Sequence, residues 1–411
     1  MSLFDLVSVL LTLAALFAYF NHRFVGLPNG IGIMLIGLLM SLFLVGLSKL
    51  GWFDTDQIAG IVSQVDFDDA VMNGMLSFLL FAGALHVNIN RLAAVKDTIA
   101  ILATLGVIIS SLIISVVSFY IFQLFGVEIS YVYCLVFGVL ISPTDPIAVM
   151  GILKKVGAPK SIEVKITGES LFNDGVAVVL FIAVLGVATG QSEATFSSVG
   201  MLFMQEAVGG AIFGIGLGYA GYWMLKSIDN YQVEMLITIA MVTGGYALAQ
   251  HLHLSGPIAI VIAGLMTGNQ GRMLAMSDVT RDRLDNFWEL IDEILNAVLF
   301  LLIGVEILLI QFLPSYIYSA LLIIPLVVFA RFISVGLPVS LLKFKNTYSP
   351  HVIKILTWGG LRGGISVALV LSLPPGPYRE PLIAATYAVV LFSILVQGLT
   401  VGKVAAMANK T

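Results

Sequence analysis

One pattern runs through this chain from end to end: an apolar stretch long enough to cross a bilayer, a short polar break, then another apolar stretch. Crossing hydrocarbon takes about twenty helical residues, and there every backbone N–H and C=O must be satisfied within its own segment. Breaks at charged residues, glycine and proline divide the sequence into about thirteen such intervals. They are 3–20, 30–48, 70–87, 98–125, 131–153, 163–189, 197–226, 232–252, 255–268, 287–312, 316–343, 352–373 and 382–405. The ninth is short, and the tenth follows a polar, amphipathic lead from Asp278 to Leu290. The chain is 59% hydrophobic and 11% charged over 411 residues, more apolar surface than a water-soluble domain of this size can hide. The fold class expected is an all-α polytopic membrane protein, one transmembrane unit with no soluble domain.

Charge placement tests the division. With the N-terminus outside, the cytoplasmic loops collect Arg23, Arg91, Lys96, Lys154, Lys155, Lys160, Lys165, Lys226, Arg272, Arg281, Arg283, Lys343, Lys345, Lys354, Lys403 and Lys410. The outer loops keep only Lys49 and Arg379. Such segregation is the positive-inside signature, so the C-terminus is expected in the cytoplasm and the protein in the plasma (inner) membrane. The first helix carries Asp5 and no basic residue ahead of its apolar run, so it reads as retained rather than cleaved. The outer loop with Asp54, Asp56, Asp66, Asp68 and Asp69 reads as solvated. The single cysteine, Cys134, excludes an intrachain disulfide and a cysteine metal site. No basic run suggests nucleic acid, and no cofactor is expected.

Asp174 is the residue that speaks of function. It stands in Gly168-Glu169-Ser170-Leu171-Phe172-Asn173-Asp174-Gly175, directly before the apolar run 176–187. Aspartate at the centre of a bilayer costs roughly 2.5–3.5 kcal/mol on insertion scales, so it is kept where it faces protein or water and has work to do. Ser170 and Asp174 are four apart and share one helix face; Glu169 and Asn173 share the adjoining one. Hydroxyl, amide and carboxylate oxygens suit a hard monovalent cation, and a lone carboxylate can hold a proton instead. Arg331, also within an apolar interval, is the natural buried partner for a carboxylate. Pairing it with Glu169 leaves Asp174 as the titrating group.

Two intervals carry breaks. Ser142-Pro143-Thr144-Asp145-Pro146 removes two backbone donors in mid-membrane, and Gly359-Gly360-Leu361-Arg362-Gly363-Gly364 brackets an arginine with four glycines. The breaks correspond if 1–189 and 231–411 are inverted repeats joined by a linker helix at 190–230. Paired broken helices of this kind mark a transport site at the midplane. Asp145 and Arg362 are placed to compensate the half-helix dipoles that meet there. Gly210, Gly214 and Gly218, spaced by four, predict close helix packing. The five histidines fall near interval ends, and Glu306 reads as structural.

These stretches closely resemble monovalent cation:proton antiporters of the sodium/proton exchanger type, the bacterial NhaP-like branch. The matching residues are Thr144-Asp145-Pro146, Gly168 to Gly175, Phe300-Leu301-Leu302-Ile303-Gly304-Val305-Glu306, Arg331 and Gly359 to Gly363, in family order along nearly the whole chain. The resemblance implies an NhaA-like antiporter fold with thirteen spans, a dimerisation domain and a six-helix core, assembled as a homodimer. It implies that Asp174 alternates between cation and proton. Ser170, Asp145 and the backbone carbonyl of Thr144 look like further cation ligands, and Glu169 can contribute through water. Asn173 orients the site, and Arg331 is similar to the arginine that pairs with the glutamate. One departure stands out: Ala82, in Leu79-Leu80-Phe81-Ala82-Gly83, occupies a place where many relatives carry an acidic residue.

The expected function is therefore transport rather than enzymatic catalysis. A cation, Na+ or Li+, exchanges for H+ by competition at Asp174; with Asn173 unable to add a second charge, the cycle is electroneutral, one for one. Oxygen ligands alone do not rank the alkali cations, which leaves K+/H+ exchange open. A passive cation channel is a further alternative. An intramembrane aspartyl protease built on Asp145 and Asp174 lacks its Gly-x-Gly-Asp motif and leaves both arginines unexplained.

Overall fold

Backbone that must satisfy itself within each apolar segment has helix as its outlet, and helix is what forms. The computed structural model describes residues 3–50, 70–191, 196–309, 313–342 and 351–406. Among these, the regular structure is helical apart from one isolated bridge between Asp145 and Leu361. In chain order the helices are α1 (Leu3–Phe20), α2 (Asn29–Lys49), α3 (Ala70–Leu85), α4 (Ile89–Ala94) and α5 (Lys96–Leu124). The first broken pair is α6 (Tyr131–Leu140) and α7 (Ile147–Lys155), followed by α8 (Lys160–Ala188). Then come α9 (196–226), α10 (Tyr231–His251), α11 (256–274), α12 (Asp278–Val305) and α13 (Pro314–Leu342). The second broken pair is α14 (Val352–Trp358) and α15 (Gly364–Leu371), and α16 (Arg379–Ala406) closes the chain.

Eight helices, α1, α2, α5, α8, α9, α10, α13 and α16, are long and apolar enough to cross a membrane by length and composition. Helix covers the remaining expected intervals too, in shorter, broken or polar-led form. Several boundaries differ from the sequence expectation, and the first helix continues through a π-helical turn to Val25. The tenth helix begins earlier than its interval: the polar lead Asp278–Leu290 is continuous with the apolar part of α12, since no proline or glycine interrupts the helix before Gly304. The ninth interval is longer than expected and runs through a π-helical turn to Leu274. The acidic loop with Asp54, Asp56, Asp66, Asp68 and Asp69, the side chain of Lys49, and Lys343, Lys345 and Lys410 lie outside the described residues.

Local chemistry fixes several helix ends. Asn230 caps α10 by accepting from the amides of Gln232 and Val233; Ser255 and Ser277 cap α11 and α12 in the same manner. Gly157, at φ +65°, follows the end of α7 in the left-handed region that side-chain-bearing residues avoid.

Small residues bring the helices together. A Cβ on Gly210 would lie 2.7 Å from the Ser255 carbonyl oxygen, one on Gly214 2.9 Å from Ala259 Cα, and one on Gly218 3.3 Å from Ala263 Cα. The three spaced glycines therefore seat α9 against α11, as their period suggests. Gly304 seats α12 on α2, where a Cβ would approach the Met34 carbonyl oxygen to 2.7 Å. The largest apolar cluster joins α2, α6, α8, α12, α13, α15 and α16 through Met34, Phe137, Phe181, Phe300, Val327, Val367 and Tyr387. The outward side of α9 exposes Ile212, Ile215, Tyr219 and Trp223, a surface suited to lipid tails rather than water.

Candidate cation site at the crossing of two broken helices

Both breaks expected from sequence are present, and they touch. Helix α6 stops at Leu140 and α7 begins at Ile147, with Pro143 and Pro146 between; α14 stops at Trp358 and α15 begins at Gly364. The amide of Asp145 donates to the Leu361 carbonyl at 2.8 Å, so each break supplies part of what the other's unwound backbone lacks. Gly363 allows the close approach: a Cβ there would sit 2.6 Å from the Cβ of Asp145.

Charges sit at the half-helix ends with the sign the dipoles ask for. The Arg362 guanidinium donates through Nη1 to the Pro143 carbonyl at 3.1 Å, just past the C-terminus of α6. Arg331 donates through Nη2 to the Leu356 carbonyl at 3.3 Å, in the last turn of α14, and lies against Gly360. The Asp145 side chain instead lies against Gly363, the residue that opens α15. Cations thus face helix C-termini and the carboxylate faces an N-terminus.

Helix α8 brings its polar cluster to this crossing. Glu169, Ser170, Asn173 and Asp174 are all buried in the middle of its 29 residues. Ser170 Oγ donates to the carbonyl oxygen of Thr144. Asn173 holds the same residue at two points: its Nδ2 donates to Thr144 Oγ1 at 2.9 Å, and its Oδ1 accepts from the Thr144 amide at 3.5 Å. Asp174 and Asp145 are electrostatic neighbours. Both oxygens of Glu169 are taken by Arg331, one by Nη1 and one by Nη2 at 2.9 Å. The pair is buried, with side-chain exposures of 1% and 6%. Ser170, Thr144, Asn173, Asp174 and Asp145 are thus brought together, Glu169 and Arg331 form a neutral pair behind them, and Arg362 stands on the far side of the Pro143 carbonyl.

Residues 11–406 match the transmembrane sodium/hydrogen exchanger family. The chain belongs to that family. It is 49% identical over 403 residues to the Na(+)/H(+) antiporter NhaP of Pseudomonas aeruginosa, covering 97% of this chain and 95% of that protein. It is 35% identical to the Na(+)/H(+) antiporter NhaH of Halobacillus aidingensis, over 91% and 90% of the two chains. Among solved structures it shares the fold of the sodium proton antiporter MjNhaP1 from Methanocaldococcus jannaschii, with a TM-score of 0.79, 20% identity, and coverage of 98% of this chain and 99% of that one.

Within this exchanger chain, Ala82 is buried in an apolar cluster with Phe81, Leu171 and Trp288. Packing, and no carboxyl group, fills this place. Two supporting residues escape a sequence reading. Ser393 Oγ accepts from the amide of Arg362 at 2.8 Å and donates to Gln397 Oε1 at 2.8 Å. Gln397 in turn reaches the Trp358 carbonyl at 3.5 Å, so the two residues span the second break from α16. Their signal was a polar pair four apart in an apolar run, and they stand in a π-helical turn, a feature frequent at functional sites.

Proposed function

We propose that this protein is a secondary transporter exchanging Na+ or Li+ for H+ across the plasma (inner) membrane, one for one and without net charge. The observation that carries the reading is Asp174, a buried carboxyl on an unbroken helix, one turn from Ser170, whose hydroxyl meets the Thr144 carbonyl in the first break, and an electrostatic neighbour of Asp145. The names of the relatives, Na(+)/H(+) antiporters NhaP and NhaH, support the same reading.

The chemistry follows from what each group can do. Asp174 is neutralised by a proton or by a cation, and one excludes the other. The cation ligands are Asp174, Asp145, Ser170 Oγ and the Thr144 carbonyl oxygen; Glu169 contributes through water. Ser170 and Thr144 are bonded to each other, which brings their oxygens to one spot, and a cation takes over that spot when the hydroxyl turns its proton away. Asn173 fixes Thr144, Arg331 neutralises Glu169, and Arg362 holds the broken backbone. Arg331 cancels Glu169 directly and Arg362 adds a second positive charge at the break, so of the three carboxylates here Asp174 is the one whose charge a proton or a cation must cancel. Only the loaded forms are then neutral enough to cross.

The two halves, 1–189 and 231–411, act as inverted repeats joined by the helix at 190–230, in a homodimer with the N-terminus outside and the C-terminus in the cytoplasm. The test is proton flux in sealed inside-out vesicles with an imposed pH gradient, on addition of Na+, Li+ or K+. Wild type collapses the gradient with Na+ or Li+, and Asp174→Asn does not. A collapse driven by K+ alone would reassign the ion, and an Asn variant equal to wild type would end the single-carboxylate account.

A further inference from the structure

Helix α12 carries acidic residues that the exchange site does not use. Asp278, Asp282, Asp285, Glu289 and Asp292 recur at alternating spacings of four and three, which places them on one helix face, and Asn296 continues the series. Asp278 and Asp282 are exposed, Asp292 is half-buried and Asn296 is buried, so the stripe runs from the surface into the bundle. Its outer part is engaged, since Asp285 pairs with Arg272 and Asp278 with Arg281. Its inner part points at the crossing. Leu299, one turn beyond Asn296, packs on Gly364 so closely that a Cβ there would meet Leu299 Cγ at 2.8 Å, and the adjacent Gly363 bears the Asp145 side chain.

Asp292 and Asn296 are unlike the rest of the stripe. Asn296 stands one helical turn from Asp292 and interacts with its carboxylate. Its Oδ1 is buried without a hydrogen-bond partner on a residue only 7% exposed. Asp145, Glu293 and Glu289 are acidic groups that act on Asp292, two of them from its own helix and one from the first break. A carboxylate among carboxylates, beside a buried acceptor with nothing to accept, is a place for a cation. Among the described residues, no three His, Cys, Asp or Glu side chains converge on a metal-holding geometry. Two oxygens leave a monovalent ion most of its water and let it move on.

We propose that the Asp292 carboxylate and the Asn296 carbonyl oxygen form a second, transient station for the transported alkali cation, between the α12 end of the bundle and the Asp145–Asp174 site. The proposal rests on the exchange reading above. The cation halts there partly hydrated, is concentrated by the acidic face, and passes to Asp145.

The test is the dependence of initial proton flux on Na+ concentration in inside-out vesicles, for wild type, Asp174→Asn, Asp292→Asn, Asn296→Leu and Asn296→Asp. Removing the charge at 292 raises the apparent KM for Na+ roughly 3- to 10-fold with the maximal rate retained, the scale on which one unpaired charge biases a partly solvated ion. Asn296→Leu raises KM as well, Asn296→Asp lowers it, and the Asp292→Asn difference shrinks when choline chloride raises the ionic strength. A merely structural role would lower the maximal rate and leave KM in place, and that result overturns the station. If Asp292→Asn fails to reach the membrane, Asn296→Asp decides: an unchanged or higher KM overturns the proposal. Wild-type exchange that is lost in Asp174→Asn, together with unaltered KM in the α12 variants, sinks the station alone. A wild type without cation-driven proton flux overturns the exchange reading and the station with it.

Discussion

The Glu169–Arg331 pair offers the sharpest stability prediction. Each side chain is almost wholly buried, and both carboxylate oxygens are bonded by the guanidinium. Breaking such a pair by removing one member costs about 3–5 kcal/mol, because the remaining charge is left buried without its partner. Replacing both with apolar groups of similar volume removes the desolvation problem along with the attraction, so a double variant should lie within about 1–2 kcal/mol of wild type. The cycle is Glu169→Leu, Arg331→Met and both together, read as unfolding free energy by SDS titration in mixed micelles. Arg331 also serves the Leu356 carbonyl, and loss of that bond adds about 1 kcal/mol to any variant lacking the arginine. The singles should therefore be strongly non-additive. The two should also differ with pH: a carboxyl left alone can take up a proton, while a guanidinium cannot lose one, so acid relieves Arg331→Met and not Glu169→Leu. Additivity of the singles to within about 0.5 kcal/mol would refute the reasoning, since groups that do not interact add.

Two further substitutions separate site from scaffold. Gly363→Ala puts a Cβ onto the Asp145 side chain, so Na+-driven flux should need several-fold more Na+ while the protein still purifies as a folded species; an unchanged Na+ dependence would show that Asp145 is not held where the backbone places it. Gly214→Leu forces α9 away from the Ala259 backbone, and thermal stability in detergent should fall by an amount typical of core overpacking, about 1–3 kcal/mol, with the Na+ dependence of surviving protein unaltered.

What could be read from sequence was what is local or forced by charge. Pro143 and Pro146 break a helix wherever they stand, and four glycines around Arg362 do much the same, so both interruptions were visible before any contact was known. Charge neutrality pointed Arg331 at Glu169 because a buried guanidinium needs a carboxylate. The spacing of Gly210, Gly214 and Gly218 named a packing face, though not α11 as the helix it meets. Long-range pairing was hidden. Nothing in the order of residues says that the Asp145 amide meets the Leu361 carbonyl, or that Ser393 reaches the amide of Arg362. The Thr144 carbonyl entered through family resemblance, since any backbone oxygen looks the same in sequence. The start of α12 was hidden because its acidic lead lacks the apolar signal by which a span is recognised, whereas backbone continuity carries it straight into the bundle.

The central claim is that proton and cation compete for the one carboxyl of Asp174. Its most direct measurement is proton release on Na+ binding to purified, weakly buffered protein, followed with a pH-sensitive dye at a pH where the empty site holds its proton. Wild type should release up to one proton per Na+ bound, and Asp174→Asn should release none. Sodium binding without proton release, or the same release from Asp174→Asn, would contradict the account.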